Sequence, residues 1–189
     1  MSHTYDLETQ VLKRKADMHY GKWQHALVIV DKCVYACGGR NRADLADMEV
    51  YSRTKDTWVK LPDLAFRPAA TTATLVGYKI WITGAKDVIG LFNTKSKASR
   101  VINIPLQRGP KCFINMGSYL YIITSEANVV KAFENEHHEE MEIEGKNDHV
   151  HVVQSNVANV GRNFYFVDSE GYFLTFNSNT GKVTQGKRI

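Results

Sequence analysis

The sequence predicts an all-β fold built from a repeated antiparallel unit. Four segments of the 189-residue chain share one pattern of turn residues, apolar residues and an aromatic. No segment shows a sustained 3.6-residue apolar period over the length of a helix. The chain is also rich in Val, Ile, Tyr and Phe and has only four Pro, a composition that favours strands.

The repeated pattern begins at a turn and continues into an apolar strand. Its four copies read DKCVYACG (31–38), GYKIWITG (77–84), GSYLYIIT (117–124) and GRNFYFVD (161–168). Their central aromatics recur at intervals of about 40–46 residues, and a later aromatic keeps the same register. The two sets are Tyr35, Trp81, Tyr121 and Tyr165, then Tyr51, Phe92, Phe133 and Phe176. A strand meander repeated at this period is typical of β-propeller blades.

The N-terminus belongs to the same scheme. Residues 5–18 superpose without a gap on residues 51–64, so that Tyr5 matches Tyr51. This match predicts a leading half-blade before four full units, and a single domain of about four to five blades over residues 1–189. The predicted parts are a half-blade at 3–18 and units at about 19–64, 65–106, 107–146 and 147–189.

One unit carries a full family motif. Its residues are Val34, Tyr35, Gly38, Gly39, Glu49, Val50, Tyr51, Trp58, Leu61, Pro62 and Arg67. With this set, residues 25–67 resemble a kelch repeat of the BTB-kelch type, and the other three units resemble degenerate copies. The resemblance implies a kelch-like propeller.

Four and a half units leave the closure of the ring open, because kelch propellers usually have five to seven blades. The chain is then a fragment, a small or open propeller, or a propeller that a partner completes. Residues 5–15 could close the ring by pairing into the last blade. Against this, the final segment GKVTQGKRI already supplies a last strand for the fourth unit.

Composition narrows the functional classes. The net charge is +4, from 24 basic and 20 acidic residues spread along the chain, and this predicts no nucleic-acid partner. The polar N-terminus does not resemble a signal peptide, and the apolar runs are too short to span a bilayer. We therefore expect a cytoplasmic protein with free thiols and no membrane partner.

The cysteines and glycines of CVYACGG (33–39) are interpreted as structural. Cys33 and Cys37 lie roughly 13 Å apart on one strand, at about 3.3 Å per residue, which is too far for a disulfide or a shared zinc. We expect these thiols and Cys112 to be buried. Gly38 and Gly39 lack the following helix of a phosphate loop, and they suit a strand end where the backbone either crowds the propeller axis or takes positive φ.

Two histidine-containing segments are candidates for metal or acid–base sites. The run FENEHHEEMEIEG (133–145) contains His137 and His138 among glutamates, and its position predicts a solvated acidic face. His149 and His151 share a strand face, but no third ligand can be named. Lys13–Lys15 are interpreted as protection of an edge strand. No catalytic residue, metal or cofactor is predicted.

The candidate partner-binding residues lie on loops around the first unit. They are Lys22, Trp23, Gln24, Arg40, Asn41, Arg42 and Arg67. The kelch resemblance implies that Gln24, Arg40 and Arg67 lie in or beside positions that often recognise acidic peptides, and arginines near an aromatic suit carboxylate recognition. The corresponding turns 84–90 and 168–172 are short, which favours a broad contact with a protein over a deep pocket.

These observations predict a non-catalytic protein-interaction module. Two roles fit the class: a scaffold subunit of a larger assembly, such as a cytoskeletal complex, or a substrate-recruiting kelch domain of the ubiquitin-ligase adaptor type. The alternative from another class is a propeller-based enzyme or a carbohydrate-binding protein.

Overall fold

A computed structural model describes residues 2–69, 71–84, 88–104, 106, 109–126, 128–141, 152 and 157–188. These residues form strands and turns without a helix, which confirms the all-β prediction. Within the same residues there is accordingly no apolar helix of bilayer-spanning length.

The first part of the chain forms a hairpin and then a four-stranded sheet. Strands β1 (Ser2–Tyr5) and β2 (Leu12–Lys15) pair antiparallel as the leading hairpin. The first sheet follows in the order β3-β4-β7-β8, and a small hairpin, β5-β6, is inserted between its second and third strands. These six strands are β3 (Ala26–Val30), β4 (Cys33–Cys37), β5 (Arg40–Asn41), β6 (Ala43–Asp44), β7 (Met48–Ser52) and β8 (Thr57–Lys60).

Three more four-stranded meanders complete the described structure. The second sheet contains β9 (Thr72–Val76), β10 (Lys79–Thr83), β11 (Ile89–Asn93) and β12 (Ser99–Ile102). The third contains β13 (Pro110–Asn115), β14 (Tyr119–Thr124), β15 (Val129–Phe133) and β16 (His138–Met141). The fourth contains β17 (Ala158–Val160), β18 (Asn163–Val167), β19 (Tyr172–Asn177) and β20 (Lys182–Arg188).

Turns at equivalent positions define the repeat as clearly as the aromatics do. The first hairpin of every sheet turns at a residue with positive φ, between 54° and 87°: Asp31, Gly77, Gly117 and Gly161. The last hairpin of every sheet, and the leading hairpin, also turn at a residue with positive φ, here between 49° and 73°: Gln10, Asp56, Lys97, Glu136 and Gly181. Positive φ matches the right-handed twist of paired strands, so these turns fix the register of each hairpin.

Three apolar clusters join successive sheets face to face. The first and second sheets share a cluster around Tyr35, Met48 and Phe92. The second and third share one around Trp81 and Leu120, and the third and fourth share one around Tyr121 and Phe176. The first strands of the first three sheets, β3, β9 and β13, lie next to one another in that order. The sheets therefore stack in chain order, with their first strands on the inner side.

The leading hairpin lies against the first sheet. The Trp58 Nε1–H donates to the Ala16 carbonyl at 3.0 Å, and the Ala16 N–H donates to Asp56 Oδ1 at 3.1 Å. Residues 5–15 therefore do not pair with the fourth sheet, where β20 already forms the last strand, and closure by this route is not observed among the described residues. Lys13–Lys15 lie on β2, an edge strand, as predicted.

A matched pair of phenylalanines on β19 tests the packing between sheets. Phe176 is fully buried in the cluster between the third and fourth sheets, whereas Phe173 is exposed. We expect Phe176→Ala to lower the free energy of unfolding by about 3–5 kcal/mol, and Phe173→Ala by less than about 1 kcal/mol. Urea unfolding of both variants measures the difference, and equal losses would contradict the assigned packing.

Candidate functional site

Three loops meet at the end of the first sheet where β4 stops. They are the segment before β3 (19–25), the segment between β4 and β7 (38–47), and the connection from the first to the second sheet (61–71). The meeting point is the glycine pair Gly38-Gly39, with φ of 58° and 100°. The predicted positive φ is confirmed.

Neither glycine has room for a side chain. A Cβ on Gly38 would lie 2.6 Å from Pro68 Cγ, and one on Gly39 would lie 2.8 Å from the Trp23 carbonyl oxygen. The Gly39 N–H donates to Thr71 Oγ1 at 3.1 Å. The glycine pair therefore lets all three loops approach one another, which is the close-approach use of glycine rather than phosphate binding.

Main-chain hydrogen bonds hold the loops in register. Trp23 and Arg40 exchange two of them, with N···O distances of 3.0 and 2.8 Å, and the Thr71 N–H donates to the Gln24 carbonyl at 2.9 Å. Arg40 begins the β5-β6 hairpin, and Arg42 occupies its turn with φ of 61°. The 40–47 segment is thus an ordered hairpin and not a loose loop.

Six of the seven predicted residues lie together on the surface of these loops. We call this set the arginine rim: Trp23, Gln24, Arg40, Asn41, Arg42 and Arg67. Trp23 is 53% exposed. Arg40 Nε lies 3.1 Å from Asp44 Oδ1, and Arg67 donates to the Asp44 carbonyl at 3.2 Å. Three guanidinium groups against one carboxylate leave the rim positive.

Lys22 is not part of this surface, which corrects the prediction for that residue. Its side chain has no exposed area, and its Nζ lies 2.5 Å from Asp47 Oδ2 and 3.3 Å from Glu49 Oε1. The chain enters the first sheet beneath the rim, so this lysine points inward between two buried carboxylates. It anchors the 19–25 segment instead of meeting a partner.

His19 completes the buried charge cluster. Its backbone N–H donates to Glu49 Oε2 at 2.8 Å, and its ring Nδ1 lies 2.9 Å from the same oxygen. Burial alone would raise the pKa of Glu49, but the His19 donors and the Lys22 charge together lower it. Burial, and then the Lys22 charge, lowers the pKa of His25 beside the cluster. Glu49 is therefore ionised within this cluster, where it lies beside the single lysine.

The spacing of residues along β7, unlike the overall composition, contains a signal for this cluster. Glu49 lies two residues from Tyr51 on β7, and residues at i and i+2 on a strand share a face. Tyr51 is a core aromatic of the repeat, so Glu49 has to point into the same covered face. A charged residue there requires a buried cation, and Lys22 supplies it.

A second polar contact joins the second and third sheets at the opposite ends of the strands. Lys79 Nζ bonds the Glu134 carbonyl at 2.9 Å and Glu136 Oε1 at 2.7 Å, while Arg100 pairs with Glu136 Oε2. Burial would raise the pKa of Glu136, and the two cations lower it overall. Glu136 belongs to the acidic run 133–145, so one member of that run is a structural ion-pair partner.

The remaining predicted features are confirmed in part, and some lie outside the described residues. Cys37 and Cys112 are buried free thiols whose pKa burial raises to about 12, whereas Cys33 is only half-buried, so the prediction of burial is wrong for that thiol. His137 and Glu139 are exposed, as the solvated-face interpretation requires. His149, His151 and residues 142–145 lie outside the described residues. Within the described part of the chain, no three His, Cys, Asp or Glu side chains group as metal ligands.

The short turn at 168–172 is confirmed. Asp168 Oδ1 accepts from the Glu170 and Tyr172 N–H groups at 2.9 and 2.8 Å, which closes the hairpin tightly. The other predicted short turn, 84–90, includes residues 85–87, which lie outside the described residues.

Comparison with known families identifies one motif. Residues 24–65 match the model of the kelch motif, and this range includes the glycine pair, the β5-β6 hairpin and all of the first sheet. No curated protein matches the chain. With the stacked four-stranded sheets, the motif confirms a kelch-like β-propeller that is incomplete in the described structure. Kelch motifs are typical of protein-interaction modules rather than of catalysts.

Lys22 provides a test of the buried cluster. Lys22→Met removes the cation from two buried carboxylates, so we expect it to lower the free energy of unfolding by about 3–5 kcal/mol. Lys55→Met in an exposed turn is the control and should change it by less than about 0.5 kcal/mol. Urea unfolding at neutral pH measures both, and a fully stable Lys22→Met variant would show that the cluster is not required.

Proposed function

We propose that this protein is a non-catalytic interaction module that binds an acidic peptide segment of a partner protein through the arginine rim. The observation that carries the proposal is that Arg40 and Arg42, on an ordered hairpin, lie with Arg67 and the exposed Trp23 on three adjoining loops. Guanidinium groups bind carboxylates in paired, directional hydrogen bonds, and Trp and Arg dominate the binding energy of many interfaces.

The rigidity of the rim supports binding with little loss of entropy. The backbone bonds between Trp23 and Arg40, and the crowded glycine pair beneath them, fix the loop conformations before a partner arrives. Preorganised loops lose less conformational freedom on association, so more of the contact energy appears as affinity.

The role of the module toward its bound partner takes one of two forms. In the first, the module is a scaffold subunit of a larger assembly, such as a cytoskeletal complex. In the second, it recruits a substrate in the manner of ubiquitin-ligase adaptors. A recruiting module shortens the lifetime of the partner bound at the rim, whereas a scaffold leaves it unchanged. We propose a reducing, cytoplasmic setting for either form, supported by the three free thiols.

A charge-reversal pair tests the rim. We expect a fluorescein-labelled hexaglutamate peptide to bind the protein, and Arg42→Glu/Arg67→Glu to weaken this binding at least about tenfold in fluorescence anisotropy. Arg53→Glu/Lys55→Glu, in the exposed β7-β8 turn, makes the same change in net charge and should leave the affinity within about twofold.

Two results would contradict the proposal. Equal weakening by both charge reversals would mean that the peptide senses only the overall charge. Absence of hexaglutamate binding at low ionic strength would mean that the rim does not recognise acidic peptides.

A further inference from the structure

A hollow lies between the first and second sheets, at the end of the strands opposite the arginine rim. Its volume is about 540 Å³, within the range of about 300–1,000 Å³ that is usual for small-molecule sites. Apolar residues of both sheets line it, among them Val30 and Leu75, together with the buried Tyr35. Two lysines of the β11-β12 turn, Lys95 and Lys97, line it as well. The hollow therefore combines an apolar lining with two cations.

The turn that carries both lysines is fixed by its own hydrogen bonds. Asn93 Oδ1 accepts from the N–H groups of Lys95 and Ser96 at 2.9 and 3.0 Å. Thr94 donates to the Tyr78 carbonyl through its N–H and its hydroxyl, at 2.9 and 2.8 Å, which links this turn to the turn between β9 and β10. Because the backbone of the turn is already ordered, less conformational freedom is lost when a ligand binds there.

Each lysine ammonium lies over a tyrosine ring. Lys95 Nζ is 4.5 Å from the centroid of the Tyr78 ring, and Lys97 Nζ is 5.3 Å from that of the Tyr35 ring. Lys97 Nζ also donates to the Tyr35 hydroxyl at 2.9 Å and to the Thr94 carbonyl. The hydroxyl accepts this bond and keeps its own proton for another acceptor. The hollow thus offers two ammonium groups and one hydroxyl as donors.

Lys97 occupies a position that is acidic in the neighbouring sheets. It is the residue with positive φ in the last turn of its sheet, and the equivalent residues of the first and third sheets are Asp56 and Glu136. Glu136 reaches back to the second sheet and pairs with Lys79, the first residue of β10. The first residue of β4, which Lys79 matches, is Cys33. The ion pair between the second and third sheets therefore has no counterpart at Lys97.

The lysines of the hollow lack an anion from the protein. In the described part of the chain, neither Lys95 nor Lys97 forms an ion pair, whereas Lys22 and Lys79 each pair with a carboxylate. Asp31 also lines the hollow, but it is exposed and forms no ion pair with either lysine. The lining therefore carries a net positive charge beside its apolar and aromatic surface.

We propose that this hollow binds a small organic phosphate. The phosphate group lies between Lys95 and Lys97, and an aromatic or apolar group of the ligand covers Leu75. A phosphate monoester carries a charge of about −1.5 to −2 at pH 7, which matches two ammonium groups better than a carboxylate does. Lysine binds phosphate as a point charge, whereas the paired donors of arginine suit planar carboxylates. This site is separate from the arginine rim and does not depend on it.

Phenyl phosphate is a suitable probe. We expect isothermal titration calorimetry to show that it binds to the full-length protein at neutral pH. Inorganic phosphate should bind at least about tenfold more weakly, because it leaves the apolar lining in water. Phenol should also bind at least about tenfold more weakly, because it carries no charge for the two lysines.

Matched substitutions locate the phosphate group. Lys95→Met and Lys97→Met should each weaken the binding of phenyl phosphate at least about fivefold. Lys95→Met removes a charge without breaking a side-chain hydrogen bond between the sheets, so it tests the site independently of the contact between Lys97 and Tyr35. Lys55→Met, in the β7-β8 turn of the first sheet, is the control and should bind as the wild type does.

Cys33 provides a second measurement because it lines the same hollow. It is half-buried, whereas Cys37 and Cys112 are buried thiols whose pKa burial raises to about 12. N-Ethylmaleimide should therefore modify Cys33 first. Saturating phenyl phosphate should slow this modification at least about threefold, as measured by mass spectrometry of the labelled peptide.

The arginine rim supplies a further control. Arg42→Glu/Arg67→Glu should bind phenyl phosphate as the wild type does, so failure here is distinguishable from failure of the rim proposal. Loss of binding in that variant would place the anion at the rim and would overturn the assignment to the hollow.

Several other results would overturn the proposal. They are absence of phenyl phosphate binding, binding that both lysine substitutions leave unchanged, equal binding of phenol or of inorganic phosphate, and modification of Cys33 that the ligand does not slow. A phosphotyrosine peptide that binds at least about tenfold more tightly than phenyl phosphate would assign the hollow to a protein segment instead.

Discussion

The structure depends on the requirement that each sheet be covered on both faces. A four-stranded meander alternates its side chains, and here both sets are largely apolar, so a single sheet would leave two apolar faces in water. Stacking satisfies this for the second and third sheets, whose aromatics Trp81 and Tyr121 are buried. Burial of a large apolar side chain contributes about 1.5–3 kcal/mol, so the stack is the main stabilising element.

The same requirement explains the two ends of the stack. The fourth sheet has no described sheet beyond it, and there Val160 and Phe173 are exposed, although their counterparts Val76 and Ile89 are buried. At the other end, the leading hairpin leaves Ile29 of the first sheet exposed. Repeat architectures whose units contact only their neighbours need such end faces to be capped. The ends, and not the middle, are therefore where association is favoured.

The rim illustrates how a surface loop depends on buried charge. The segment that presents Trp23 is held from below by Lys22, and the loop that presents Arg40 leads through Asp47 into β7. The exposed residues of the rim and the ion pairs of the interior thus lie on the same chain segments. A substitution in the buried cluster would disturb the rim without touching a partner.

The sequence predicts local and repeated features well, but it predicts poorly how deeply an individual side chain is buried. The turns at Asp31, Gly77 and Gly161, and the buried thiols, follow from local chemistry that recurs in register. The sequence predicts an exposed Lys22 because lysine is almost always solvated, whereas its burial depends on where Glu49 lies across the sheet. Likewise, the sequence predicts Glu136 as part of a solvated run, because the cations that pair with it belong to another sheet.

Residue-resolved amide hydrogen exchange tests the stacked, open-ended arrangement most directly. The second strands β4, β10, β14 and β18 are all interior strands of their own sheets and differ mainly in how completely their sheets are covered. The account predicts slower exchange in β10 and β14 than in β4 and β18, because open end faces permit local opening. Equal protection in all four strands would contradict it, since both end faces would then have to be covered.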